Sequence, residues 1–400
     1  MTKRLAMVFA APHRLLFLTG SINLALIAAW WLVQLTAQRF GEPHPPQGDL
    51  PAALLHAPVM LFVIFPPFML GFLLTVFPRW MGQPDLGRRA FGPVAVLQAA
   101  GALAVHAGLW SGAAMLVMAG FGFAAVSWAL AIFVLGRVAA EHRRAGQPVN
   151  WHAVSALAAL LCGLLALGIS SWSLGTGAGA LWQLGNQIGI CGFLLPMFLT
   201  VAHRMVPFFA GSVVQGYVRW RPDWLLAALW ALLGARLAGQ AFAQPIIGFP
   251  ADCGLFALTA AMSWKWWPRA AAPGLLKVLI WGFAWAPMGL GLSALATAGL
   301  RLGLAPVHAL TIGFAASLLV AMVTRVTQGH SGQALAMSAT AWLAFGAIQL
   351  AAVLRVYAAL RFENGTALVA AALVLVGGLL PWLVRNALIY VRERSDGRPG

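Results

Sequence analysis

LLHAPVMLFVIFPPFMLGFLLTVF, residues 54–77, contains no lysine, arginine, aspartate or glutamate. At 1.5 Å rise per residue, a helix of that length crosses the roughly 30 Å hydrocarbon core of a bilayer. The rest of the chain repeats the pattern. Of 400 residues, 61% are hydrophobic and 8% charged, whereas a soluble domain carries about a quarter charged residues. An ordinary soluble globule is excluded, and the economical reading is an all-α, polytopic transmembrane helical bundle forming one integral-membrane domain over 1–400. Apolar runs separated by Pro, Gly or Arg place about twelve spans near 15–36, 54–77, 90–110, 112–136, 152–172, 179–205, 224–243, 247–266, 276–298, 305–325, 337–359 and 367–390.

The net charge of +16 would suggest nucleic acid as the partner of a soluble protein. Here the basic residues report topology, and the partner they imply is the lipid bilayer. With twelve spans, both termini lie on one side. Only Arg39, Arg236, Arg301, Arg355 and Arg361 of the 25 Lys and Arg fall on the opposite side, so both termini are expected to be cytoplasmic. The basic N-terminus reads as a retained cytoplasmic tail, because Pro12, His13 and Arg14 interrupt its short apolar stretch.

Cys162, Cys191 and Cys253 form neither a CxxC pair nor a CxxCH haem-attachment pattern and read as small core residues. Gly71, Gly101, Gly163, Gly168, Gly289 and Gly291 suit close helix packing. Pro66 and Pro67 remove two amide donors from the second span and predict a kink there. Of the nine acidic residues, only Asp252 falls plausibly inside a span. Ion-coupled carriers usually keep carboxylates within the membrane, so this scarcity argues against a coupled carrier while leaving a facilitator open.

The nine histidines sort by depth instead. His56, His106 and His308 fall near the outer ends of spans, and His152, His203 and His330 near the inner ends; His13, His44 and His142 read as tail or loop residues. A neutral imidazole can ligate iron or copper with one nitrogen while the other takes a hydrogen bond. His308 and His330 lie about 33 Å apart along a continuous helix, so they cannot share a metal. The expected pairs are His56 with His308 at an outer site, where His106 could add a third ligand, and His203 with His330 at an inner one. The ordinary alternative for each is an interfacial residue. Gln183, Asn186 and Gln187 share a face of the sixth span, where interhelical hydrogen bonds or the lining of a path would both account for them. Arg39, Arg236 and Arg301 are outer basic residues that could meet haem propionates or water.

Four segments resemble the NnrS family of bacterial membrane proteins: PHRLLFLTG (12–20), HAPVMLFVIFPPFMLGFLLTVFPRWMG (56–82), GFLLPMFLTVAHRMVPFF (192–209) and PVHALTIGFAASLLVAMVTRVTQGHSG (306–332). The resemblance implies a bundle of about twelve helices in the bacterial inner membrane, holding non-covalent haem b, with copper left open, in the response to nitric oxide. His56, His203, His308 and His330 are then the leading ligands, with Arg204 and Arg325 supporting the inner site. Where relatives read HAHEM, this chain has HAPVM, with Pro58 and Val59 at the positions of a histidine and an acid. That loss weakens copper more than haem, because a haem needs only one or two axial histidines.

The leading expectation is therefore a haem-binding protein in nitric oxide response or detoxification, by sensing, scavenging or electron transfer to a redox partner. Whether it turns over a substrate stays open. The alternatives are a transporter of a small uncharged or anionic molecule and a quinol-reactive oxidoreductase of cytochrome b type.

Overall fold

The computed structural model describes residues 7–43, 45–46, 48–362 and 364–395; His44 and the terminal Lys3, Arg4 and Arg398 lie outside them. Among the described residues, twelve helices are long and apolar enough to cross a membrane. They are α1 (Pro12–Phe40), α2 (Ala52–Trp80), α3 (Arg88–Ser111), α4 (Ala114–Arg144), α5 (Trp151–Thr176), α6 (Gly179–Val213), α7 (Trp224–Ala241), α8 (Pro245–Trp266), α9 (Gly274–Thr297), α10 (Ala305–Ser331), α11 (Ala339–Leu360) and α12 (Gly365–Tyr390).

Several helices outrun the apolar windows that announce them. The hydropathy pattern marks the hydrocarbon layer, whereas a helix continues until its terminal carbonyls find other partners. At the end of α1 the partner comes from Gly41, which takes a left-handed φ of 74° and donates its N–H to Ala37 O. α4 runs on through EHRR, in which Glu141, Arg143 and Arg144 are good helix formers, and ends at Arg144.

α2, α6 and α10, four helices apart in sequence, are the most buried. In α2, 89% of the most apolar stretch is inside the protein, against 28% in α12, most of which lies at the surface. Each of the three contains a wider π-helical stretch: Met60–Ile64, Gly189–Leu194 and Ala309–Ala316. In α2 the cause is local. Pro66 and Pro67 have no N–H to offer the carbonyls four residues back, and the helix accommodates them through a π stretch just upstream while remaining helical to Trp80. Pro196 stands in a similar place after the stretch in α6.

The chain divides into two compact units. The first comprises residues 1–189, 326–334 and 380–400, and the second residues 190–325 and 335–379. Within the first, α1 and α2 approach through glycines: a Cβ on Gly20 would come 2.8 Å from the Phe68 ring, and one on Gly71 2.8 Å from the Phe17 ring. α3 and α4 meet similarly, with Gly101 against Gly120 O. Gly168 behaves differently from the packing role expected of it. It faces open space in a groove lined by Leu161, Leu165, Trp172 and Leu181.

In the second unit, Gly239 of α7 lies against Gly248 of α8. Gly289 of α9 lies under Leu310 in the π stretch of α10. Arg236 of α7 and Asp252 of α8 form a buried ion pair, and Thr297 Oγ1 of α9 donates to Asp252 Oδ2 at 2.8 Å. Arg236, one of the three arginines that could have met a propionate, is thus held by Asp252, the acid expected inside a span. A second polar chain runs from Trp285 Nε1 to Gln349 Oε1, and from Gln349 Nε2 to Ser317 Oγ, each at 2.7 Å.

Candidate functional site

The π stretch of α2 sets up a chain of hydrogen bonds across three helices of the first unit. Val63 O is one of the carbonyls that a proline four residues on leaves without its helical donor. Asn23 Nδ2 of α1 donates to it at 3.1 Å. This fixes the amide orientation, so Asn23 Oδ1 faces His106 Nε2 of α3 at 2.9 Å as an acceptor. His106 must therefore carry its proton on Nε2. Its Nδ1, with the lone pair, is buried and has no hydrogen-bond partner. A ring turned by one nitrogen so that the other presents a lone pair is the arrangement of a metal-ligating histidine. A buried basic nitrogen without a partner also costs about 1–3 kcal/mol unless something binds it.

His308, in the second unit, is prepared in a related way. Its Nδ1 donates to Leu304 O at 3.0 Å, one turn back in the chain, which leaves the lone pair on Nε2. The first turn of α10 positions this bond because Pro306 sits near its start, where a missing N–H costs nothing.

The other expected ligands have varied surroundings. His56 stacks on Trp31 of α1, with ring centroids 3.9 Å apart. His203 is fully buried, 6.3 Å from the Trp266 ring. Trp266 is anchored by its Nε1 donating to Trp220 O and by its carbonyl accepting from Tyr217; burial pushes the Tyr217 hydroxyl up to about 12, so it stays a donor. Arg325 lies over the Phe209 ring at 3.5 Å, while Arg204 is half-buried one residue after His203.

His330 belongs to the first unit, where its ring lies 4.7 Å from that of His13. His56 and His308 thus fall in different units, and so do His203 and His330.

Three histidines taken for tail, loop or interfacial residues are inside the protein. His13 is 3% exposed in the first turn of α1. His152 is buried in α5, and His142 is buried in the last turn of α4, with its ring nitrogens facing Met81 O and Pro148 O. Pro12 was the available signal for His13, since proline favours the first helical position and puts the next residue inside the helix. Asn23 had a weaker one: an isolated amide in an apolar run needs a partner. Of the three amides in α6, Gln183 is exposed and Gln187 half-buried; only Asn186 is buried, and neither atom of its amide has a partner.

The sequence model of a family described as NnrS protein matches residues 7–394. The chain belongs to the NnrS family. No curated protein matches it. The NnrS match covers every helix above, so the prepared histidines of α3 and α10 both lie within the family's homologous region.

The bare Nδ1 of His106 could serve as a ligand to haem iron, for which one or two imidazoles suffice. Copper fits less well. It favours several imidazole or sulfur donors, and among the described residues no three His, Cys, Asp or Glu side chains come together.

Proposed function

We propose that this multi-pass NnrS protein is a haem b carrier of the bacterial inner membrane, both termini cytoplasmic, that acts in the nitric oxide response. The observation that carries the reading is the bare, buried Nδ1 of His106, whose ring is set by Asn23. His308, with its Nδ1 tied to Leu304 O, would be the second residue to hold haem, and the family resemblance adds His56, His203 and His330 as further candidates. Copper stays open, with no residues assigned to it.

When bound, haem would supply an iron centre able to take a diatomic gas or an electron. The chain's own residues do the rest. Asn23 holds the His106 proton on Nε2, so the ligand nitrogen cannot be lost to the wrong tautomer. The Leu304 carbonyl does the same for His308 and raises the basicity of its Nε2. The apolar side chains of the buried helices keep water away, which would lower the dielectric around a porphyrin and favour its neutral-imidazole ligation.

Detergent-purified protein, expressed with haem precursor, is expected to show a Soret band and stoichiometric iron. His106→Ala should reduce the band by half or more, and Asn23→Leu should shift or broaden it while His106 remains. A preparation that stays colourless after haem supplementation, or a band indifferent to His106, His308, His56, His203 and His330 alike, overturns the reading.

A further inference from the structure

A second feature of the first unit is unrelated to the His106 chain. Arg14, in the first turn of α1, is 2% exposed. Its Nη1 donates to Tyr390 O at 3.3 Å and to Arg392 O at 2.7 Å. Among the described residues no carboxylate pairs with it. A buried cation normally has a counter-ion, because removing one from water is costly even after relaxation. The carbonyl end of α12 offers about half a negative charge, but Arg14 also sits at the N-terminal end of its own helix, which offers as much positive charge. That N-terminus has no side-chain cap and no acidic residue in its first turn.

The surroundings repeat the imbalance. His13 is 3% exposed, with its Nδ1 buried and without a partner, and its ring lies 4.7 Å from His330. Asn386, one turn before Tyr390 on the same face of α12, is fully buried with neither amide atom bonded. The charges of Arg14, Arg79 and Arg394 all bear on the two imidazoles. Asp85, a carboxylate that bears on His330, is held by Arg79 through two bonds of 2.9 Å. Around Arg14 the described residues supply main-chain carbonyls and no carboxylate.

We propose that the first unit, where α1 begins and α10 and α12 end, binds an anion between Arg14, His13 and His330. The ligand is a carboxylate or a small oxyanion, whose oxygens accept from the guanidinium and imidazole N–H groups while supplying Arg14 with its counter-charge. The inference does not rest on haem binding, although a haem propionate and a free oxyanion share the required chemistry.

The test is thermal unfolding of the full chain in detergent, exchanged into chloride and titrated with phosphate or acetate at constant ionic strength. A saturating rise in Tm, on the order of 3 °C, is expected. Arg14→Met should abolish the rise and, without added anion, unfold no earlier than the parent. Should that variant not fold, His13→Gln is expected to shift the midpoint of the titration several-fold. Repeating the titration on haem-loaded protein identifies the source: a response lost on loading marks a propionate as occupant, and one that persists marks a free oxyanion. No saturable rise in the parent, or an unchanged one in both variants, overturns the proposal.

Discussion

Arg236 and Arg14 are both arginines sealed from solvent, 4% and 2% exposed, yet their surroundings differ in kind. Arg236, in the second unit, meets Asp252, whose other oxygen is held by Thr297. Charge and counter-charge cancel within α7, α8 and α9, and the group behaves as a fixed joint between helices. Arg14, in the first unit, has main-chain carbonyls and, among the described residues, no acid. The lesson concerns how a site is recognised inside a bilayer: a buried charge alone does not mark one, because a closed pair is simply architecture. An unbalanced charge beside an unpartnered ring nitrogen leaves room for something else to bind.

The contrast can be broken most forcefully at Asp252. Asp252→Asn strands Arg236 without its counter-ion, and a loss of about 3–5 kcal/mol is expected from the thermal unfolding of purified protein. Replacing both partners at once, Arg236→Met with Asp252→Leu, should recover most of that loss. If the double variant is no better than the single one, the pair is more than a joint.

A smaller effect is expected at Asn23, which balances groups without charge. Asn23→Ala leaves Val63 O and His106 Nε2 unsatisfied, about 1–3 kcal/mol for each buried group exposed to the loss. Denaturant titration would measure it. Asn23→Asp sharpens the comparison, since it keeps the acceptor for His106 but turns the donor facing Val63 O into a repulsive oxygen.

The smallest effect belongs to the same ion chemistry in water. Arg79 and Asp85 form a bidentate pair whose side chains are 50% and 65% exposed. The Arg79 bonds hold the Asp85 carboxyl below its ordinary range. A group depressed in the folded state stabilises above its unfolded pKa, near 3.9, and that contribution disappears as pH falls through the lower folded value. Asp85→Asn is therefore expected to change stability by about 0.2–1 kcal/mol at pH 7 and by less as the pH drops below 4, measured as the difference between the two unfolding curves.

The twelve helices were legible because hydrophobic length is a one-dimensional property, read directly along residues such as 54–77. The prepared state of His106 was not, because it depends on Asn23 and Val63, 83 and 40 residues from the groups they bond. Depth along a span could place His56, His106 and His308 at similar heights. It could not say which way a ring is turned or which nitrogen holds the proton. His13 escaped for a different reason: hydropathy puts the first span at residue 15, while Pro12 starts the helix three residues earlier and carries His13 and Arg14 inside. Arg236 and Asp252 were each visible as odd residues in apolar runs, but their pairing is a fact of packing between α7 and α8.

The π stretches of α2, α6 and α10 carry a further consequence. Each adds backbone to a turn without adding a full turn, so the angular phase of the helix slips, by up to about 100° per inserted residue. A helical wheel drawn from His56 therefore misassigns the faces beyond Ile64, and the same holds for side chains on either side of Gly189–Leu194 or Ala309–Ala316. In these three helices, aligning sequences by an unbroken 3.6-residue period would compare residues that point in different directions, and a one-residue deletion inside a π stretch would act as a rotation of everything after it.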